Sequence, residues 1–390
     1  MKRILALFLI VATLIAVSGC EETYKVAKPM TYPDYTFEGT PDATQMREMA
    51  LKATRDLLTI RWFIDRDIEY KHSANKRALL YEGEKTYAGL MYTKAGSGLF
   101  QFLEYYNAET GCLEYPGTAD ELKLELGSAC ADSLLWSWST VCNSISGGFY
   151  PVFMVPANGY IPVGDYTIPE HITSYHEMPS YAIIENTPKE TILDAYAKTL
   201  PADLLVSNKG DHAMMVAKEP TVVYLDGGAI DPQNSYLLIQ DQWSHGEEVE
   251  MDGEMVQLTG RLDMKFTFAE LYEKFYIPLT AAEFIGEKAY DKAAITVSRS
   301  DCSSLAELAD VTVEANYPFA VINVVGINAK GNETVLCRKL FKSADAKTPA
   351  RSFKLTEMKL DQLSPDPGTV IKLEVVVSTG ERFYPIEFTA

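Results

Sequence analysis

Positive charge is scarce in this 390-residue chain: 35 Lys and Arg stand against 54 Asp and Glu, a formal charge of −19 at pH 7. Such a surface repels phosphate backbones and anionic lipid, which excludes nucleic acid as a partner and charge as a membrane hold. Histidine is scarce too. His72, His171, His176, His212 and His245 form no helical pair and no His-Glu-x-x-His spacing, so the sequence predicts no metal site. No Gly-x-x-x-x-Gly-Lys-Ser/Thr or Gly-x-Gly-x-x-Gly run is present, so nucleotide chemistry has no support and no cofactor is expected. Five cysteines follow Cys20, an odd number that leaves at least one thiol free. Only one long apolar run occurs, Ile4 to Val17, and its 14 residues fall short of a bilayer span, which needs about 20.

That run follows Lys2 and Arg3 and ends in small residues, the layout of an export signal. Val17-Ser-Gly-Cys20 resembles the lipobox of bacterial lipoproteins. The resemblance implies removal of residues 1–19, lipidation of Cys20, and an extracytoplasmic protein held to a bacterial membrane by its lipid anchor only. Removing Lys2 and Arg3 takes the formal charge from −19 to −21. The mature chain exceeds what one core usually organises, and a hydrophobic content of 47% supports packed domains throughout.

Residues 20–39 carry Pro29, Pro33 and Gly39 without apolar periodicity and read as a tether. Thr40-Pro41 predicts a helix start, and Met46, Ala50, Ala53, Leu57, Ile60 and Ile64 keep helical period behind it. Leu99 to Tyr106 predict another helix. Leu134, Trp138, Val141 and Ile145 space as one apolar helical face, with Gly127 and Ser128 as the loop and cap before it and Gly147-Gly148 as its stop. Cys130 then falls in the first turn, where unpaired amides and the helix dipole favour a thiolate. Residues 149–187 read as loops and short strands, and Thr191 to Lys198 as a helix. His212-Ala-Met-Met-Val216, Thr221 to Leu225 and Tyr236 to Trp243 read as successive strands, Val249 to Val256 as a hairpin turning at Asp252-Gly253, and Thr267 to Phe275 as a helix. Helices first and a strand meander second make an α+β class.

A nucleophilic thiolate needs a base, and His212 opens the strand that follows. A cysteine on an early helix and a histidine on a later sheet resemble the NlpC/P60 superfamily of papain-like cysteine peptidases, over roughly residues 80–245. The matching stretches are Gly89-Leu-Met-Tyr92 for Gly-x-Pro-Tyr, Cys130 with its trailing Leu-Leu-Trp, Ala202-Asp-Leu-Leu205 for Pro-Gly-Asp-Leu, and Gly210-Asp-His212. Two departures are Ala129-Cys-Ala-Asp132 in place of Asp-Cys-Ser-Gly, and Met91 in place of proline. The resemblance implies a catalytic domain over residues 40–290 that hydrolyses an amide in peptidoglycan stem peptides, with Cys130 as nucleophile, His212 as base and Tyr92 near the oxyanion. It also implies a third polar group on the strand after the histidine. Gln240 and Gln242 share one face there and Asp241 has the other. Asp241 is favoured because a carboxylate fixes the imidazole tautomer and stabilises the imidazolium. A Cys112–Cys130 disulfide would silence the site, and a catalytically silent lipoprotein binding a peptide or envelope partner in the same cleft is the alternative reading.

From residue 293 the texture changes to about seven short strands separated by turns, which predicts an all-β immunoglobulin-like sandwich over residues 293–390. Cys302 and Cys337 are placed to bridge it or to remain two buried thiols. Nothing in the sequence fixes the oligomeric state.

Overall fold

The computed structural model describes residues 31–71, 78–146, 154–171, 179–244, 246–342 and 350–390. The export signal, Cys20, Gly147-Gly148, His72, His176 and His245 lie outside the described residues.

The chain is a mixed α and β protein. Its centre is a fully antiparallel six-stranded sheet in the order Gly260–Thr267, Tyr236–Gln242, His212–Val216, Leu204–Ser207, Ile277–Ala281, Tyr160–Pro162. Two helices, Ala43–Thr59 and Cys130–Ser139, pack on this sheet and on each other. The periodic residues Met46, Ala50, Leu134, Trp138, Val141 and Ile145 all enter the core they share. Trp138 is fully buried, and its indole N–H donates to the Ala202 carbonyl at 2.9 Å, so the ring brings both bulk and a satisfied polar group. A smaller four-stranded sheet joins Arg61–Trp62, Tyr87–Ala88, Glu254–Leu258 and Glu248–Met251. The last two form the expected hairpin, with Asp252 and Gly253 both at positive φ in its turn.

Several expectations shift. The first helix starts two residues later than Thr40-Pro41 predicts: Asp42 is the cap, in a reciprocal capping box with Gln45. The helix ends at Thr59, so the buried Ile64 lies beyond it and Trp62 stands in a strand. The second expected helix shortens to Leu99–Leu103. Helix Pro179–Asn186 occupies part of the stretch read as loops. Val223 to Leu225 lie exposed; the stretch meets the sheet through a bridge from Thr221 to Tyr236, and a second bridge, Tyr224 to Ile230, closes its own loop. Val222 packs on the core but the three residues after it face solvent, and β-propensity without a buried face does not make a ladder.

Beyond Ile295, seven strands form two sheets: Ile295–Val297, Thr312–Ala315 and Ser352–Lys354 in one, Glu333–Leu340, Phe319–Ile327, Val370–Val377 and Arg382–Thr389 in the other. A dense apolar core fills the space between them. This part does not sit free. Ala320, Val321 and Val376 join an apolar cluster with Leu57, Phe100 and Phe102, and Gln101 donates to the Ala320 and Phe341 carbonyls.

The expected tether is shorter than residues 20–39. Tyr35 is 0% exposed; its N–H donates to the Thr379 carbonyl at 2.9 Å, its hydroxyl donates to Asp56 at 3.0 Å, and its ring meets Phe100 and Trp136. Aromatic burial docks residues 31–37 across both parts of the molecule, a drive that the prolines nearby conceal. Cys112, Cys130, Cys142, Cys302 and Cys337 are all free thiols, so neither a Cys112–Cys130 nor a Cys302–Cys337 bridge forms.

Candidate active site

The Cys130 helix begins where two segments clasp. Residues 126–128 run against residues 91–97: Ser128 N–H donates to the Met91 carbonyl at 2.9 Å, and Thr93 Oγ1 donates to the Leu126 carbonyl at 2.8 Å. Gly127 N–H donates to Ser97 Oγ at 2.7 Å, and Ser97 N–H returns to the Gly127 carbonyl at 2.9 Å. Gly127 has φ +103°, and a Cβ there would stand 2.5 Å from Met91 O and Thr93 Oγ1, so the crossing admits glycine alone. The clasp brings Tyr92 to Cys130. Met91 takes part through its carbonyl, a role that does not require the proline expected there. The cap residue is Ala129, not Ser128; alanine has no acceptor for the amides of the first turn, which leaves them to the site.

His212 opens the strand next to Tyr236–Gln242, and the register Met215↔Gln240 puts His212, Asp241 and Trp243 on one face of the sheet. Nε2 of His212 meets Oδ2 of Asp241. The other face of the ring system is closed by Trp243, edge-on at 5.0 Å between centroids. Cys130 and His212 hydrogen-bond through their side chains, and with Nε2 engaged the contact falls to Nδ1. The thiol also donates to the Asp211 carbonyl at 3.9 Å. Tyr92 hydrogen-bonds Cys130 through its hydroxyl. The structure thus assembles Tyr92, Cys130, His212 and Asp241, four positions spread over 150 residues of sequence.

The two alternates for the third position lie elsewhere. Gln240 turns to the first helix, where Arg55 Nε donates to its Oε1 at 3.4 Å, and Gln242 donates to the Leu90 carbonyl. Alternation along the strand separates them from His212, as the sequence requires for Asp241 to have a face of its own.

Burial works against a charge on His212, but the Cys130 sulfur and the Asp241 carboxylate more than offset it and lift its pKa from 6.5 to about 9. Burial also pushes the Tyr92 hydroxyl up, reinforced by Cys130, Asp211 and Asp241, so it remains a proton donor across the physiological range. Cys130 is 4% exposed, His212 5% and Asp241 0%, so the site is a nearly closed recess. Among the described residues no group of three His, Cys, Asp or Glu side chains is placed to hold a metal ion.

Sequence reasoning missed Arg261. It lies on Gly260–Thr267, a strand not expected, directly opposite Asp241. Its Nε donates to Asp241 Oδ1 at 2.9 Å and its Nη2 to Oδ2. The signal was present in the alternation of Leu262, Met264 and Phe266, which marks a strand beginning at the arginine. Trp243 was visible as a strand end, but its contact with His212 depends on register. No protein-family profile matches this chain, and comparisons with curated proteins and with solved structures return no match.

Proposed function

We propose that this chain is a papain-like cysteine hydrolase of the NlpC/P60 type, lipid-anchored through Cys20 outside a bacterial membrane, which cleaves an amide bond in peptidoglycan stem peptides. The observation that carries the reading is the side-chain relay from Cys130 through His212 to Asp241, built on a helix start and two neighbouring strands. The order of helix and antiparallel sheet supports the papain-like comparison, and the three-plus-four strand arrangement after Ile295 supports an immunoglobulin-like sandwich. The peptide substrate comes from the resemblance in the sequence.

In this mechanism the Cys130 thiolate attacks the amide carbon and the carbonyl electrons pass to oxygen. The Tyr92 hydroxyl and the first-turn amide of Cys130 stabilise that oxyanion. His212 gives its Nδ1 proton to the leaving amine as the C–N bond breaks, which leaves a thioester on Cys130. His212 then takes a proton from water, whose oxygen attacks the thioester carbon; the C–S bond breaks, the carboxylic acid product leaves, and the Cys130 thiolate and protonated His212 are restored. Asp241 holds the Nε2–H tautomer throughout.

The near-complete burial of Cys130 and His212 favours a second reading, a catalytically silent lipoprotein that binds a peptide or envelope partner in the same recess. One experiment separates them. Purified peptidoglycan and its soluble peptide fragments are incubated with the protein and with Cys130→Ala, and products are followed by chromatography and mass spectrometry. New amine termini with the native chain and none with Cys130→Ala, at an unchanged melting temperature, are expected; equal products from both, or none from either, would refute the hydrolase.

A further inference from the structure

We infer that Arg261 is a positioning residue of this site: its guanidinium fixes the Asp241 carboxylate and, by standing beside the His212 ring, regulates when that ring carries charge. The inference rests on the cysteine-hydrolase reading above.

Arg261 stands at the Nε2 edge of the imidazole. Besides the fork to both Asp241 oxygens, its Nη2 lies 3.2 Å from His212 Nε2. The guanidinium lies over the Trp243 ring at 4.2 Å and meets Phe266 at 5.4 Å, and Trp243 in turn abuts His212. The backbone aims it there. Arg261 and Phe266 are five apart, so strict alternation would put them on opposite faces. Between Arg261↔Asp241 and Met264↔Ile239 the register slips: Leu262 and Asp263 together face Gln240, and Asp263 has φ +50°. That extra residue is a β-bulge, and it returns Arg261 to the face of Asp241 and Phe266.

Two effects follow. The fork to both Asp241 oxygens holds the carboxylate where it accepts from Nε2–H, which leaves Nδ1 for Cys130. The same cation, so close to the ring, disfavours the imidazolium. Burial weakens the Arg261 charge while Asp241 holds it, so the guanidinium stays charged. The other groups that face this cluster are Cys130, Tyr92, Asp211 and Tyr276, and Arg261 opposes the upward push that burial, Asp241 and Cys130 give Tyr276.

The test uses the full chain carrying Arg261→Met, Arg261→Gln or Arg261→Lys. The His212 ring protons are titrated by NMR, assigned by their loss in His212→Gln. Removal of a neighbouring cation should move the titration upward by about one pH unit in the two neutral variants. Arg261→Gln keeps a hydrogen bond to Asp241 and so guards against a fold lost in Arg261→Met, while Arg261→Lys should return the titration toward the native position. An unmoved or lowered titration in the neutral variants overturns the inference. Iodoacetamide labelling of native Cys130, lost in Cys130→Ser, is read in parallel. Its absence together with absent hydrolysis sinks the hydrolase reading while leaving the titration result standing.

Discussion

At the scale of single residues, the site is a small arrangement of charges in a place that disfavours charge. His212 binds its proton more tightly in the fold, at about 9, than at its ordinary 6.5. The stability this gives is fully present below pH 6.5 and is lost as pH rises through 9, because there the folded chain must surrender a proton it holds favourably. Urea unfolding from pH 6 to 9.5 should therefore show native stability falling relative to His212→Gln by on the order of 2 kcal/mol. Parallel curves would refute it. The sulfur is the first of the influences that raise the ring, so Cys130→Ala should also lower the NMR titration of His212. Asp241 was favoured over its glutamine neighbours because a carboxylate suits an imidazolium, alternation only setting it on a separate face; Arg261 was not seen, because its position depends on a bulge that no local pattern announces.

At the scale of elements, the crossing at Gly127 decides whether the chemistry assembles. Gly127→Ala forces a Cβ into Met91 O and Thr93 Oγ1 at a left-handed backbone position. We expect a loss of roughly 2–3 kcal/mol in stability and a displaced Tyr92, read as a lower melting temperature together with slower iodoacetamide labelling of Cys130. Unchanged values for both would show that the clasp is not what sets the site. The Cys130 helix was legible in the spacing of Leu134 and Trp138, whereas Val141 and Ile145, read on the same face, lie past its end at Ser139 and still enter that core. The strand Gly260–Thr267 was not, because the bulge at Leu262-Asp263 leaves Met264 exposed, so the alternation of Leu262, Met264 and Phe266 does not follow its buried face. Local propensity likewise misled at Val223 to Leu225, where tertiary context provides no buried face.

At the scale of the whole molecule, the two halves are joined by buried charge as well as by apolar packing. Glu104, at the end of helix Leu99–Leu103, pairs with Arg338 of the C-terminal part. Arg338 donates to Asn323 at 3.2 Å, Asn323 to Glu374 at 2.7 Å, and Arg382 to Glu374 at 2.9 Å. Burial raises the Glu104 carboxyl from 4.5 to about 7, against the pull of Arg338 and with the push of Glu374. The fold therefore holds a proton there that the unfolded chain releases, and stability falls as pH rises from 4.5 to 7. Chemical denaturation should show native stability declining across that window by on the order of 2 kcal/mol more than in Glu104→Gln; an equal slope in both would exclude Glu104 as the source. The strand count after Ile295 was readable from turn spacing, but the joint was not, since Glu104 and Arg338 lie 234 positions apart and neither carries a local mark of its partner.

The docking of Tyr32 and Tyr35 has a geometric outcome under the proposed lipid anchoring. Tyr32 lies twelve positions after Cys20, and fully stretched chain covers at most ~3.6 Å per residue, roughly 40 Å in all. With a lipid on Cys20, this short leash would hold the body close above the bilayer, so only polymer strands within that radius could enter the recess.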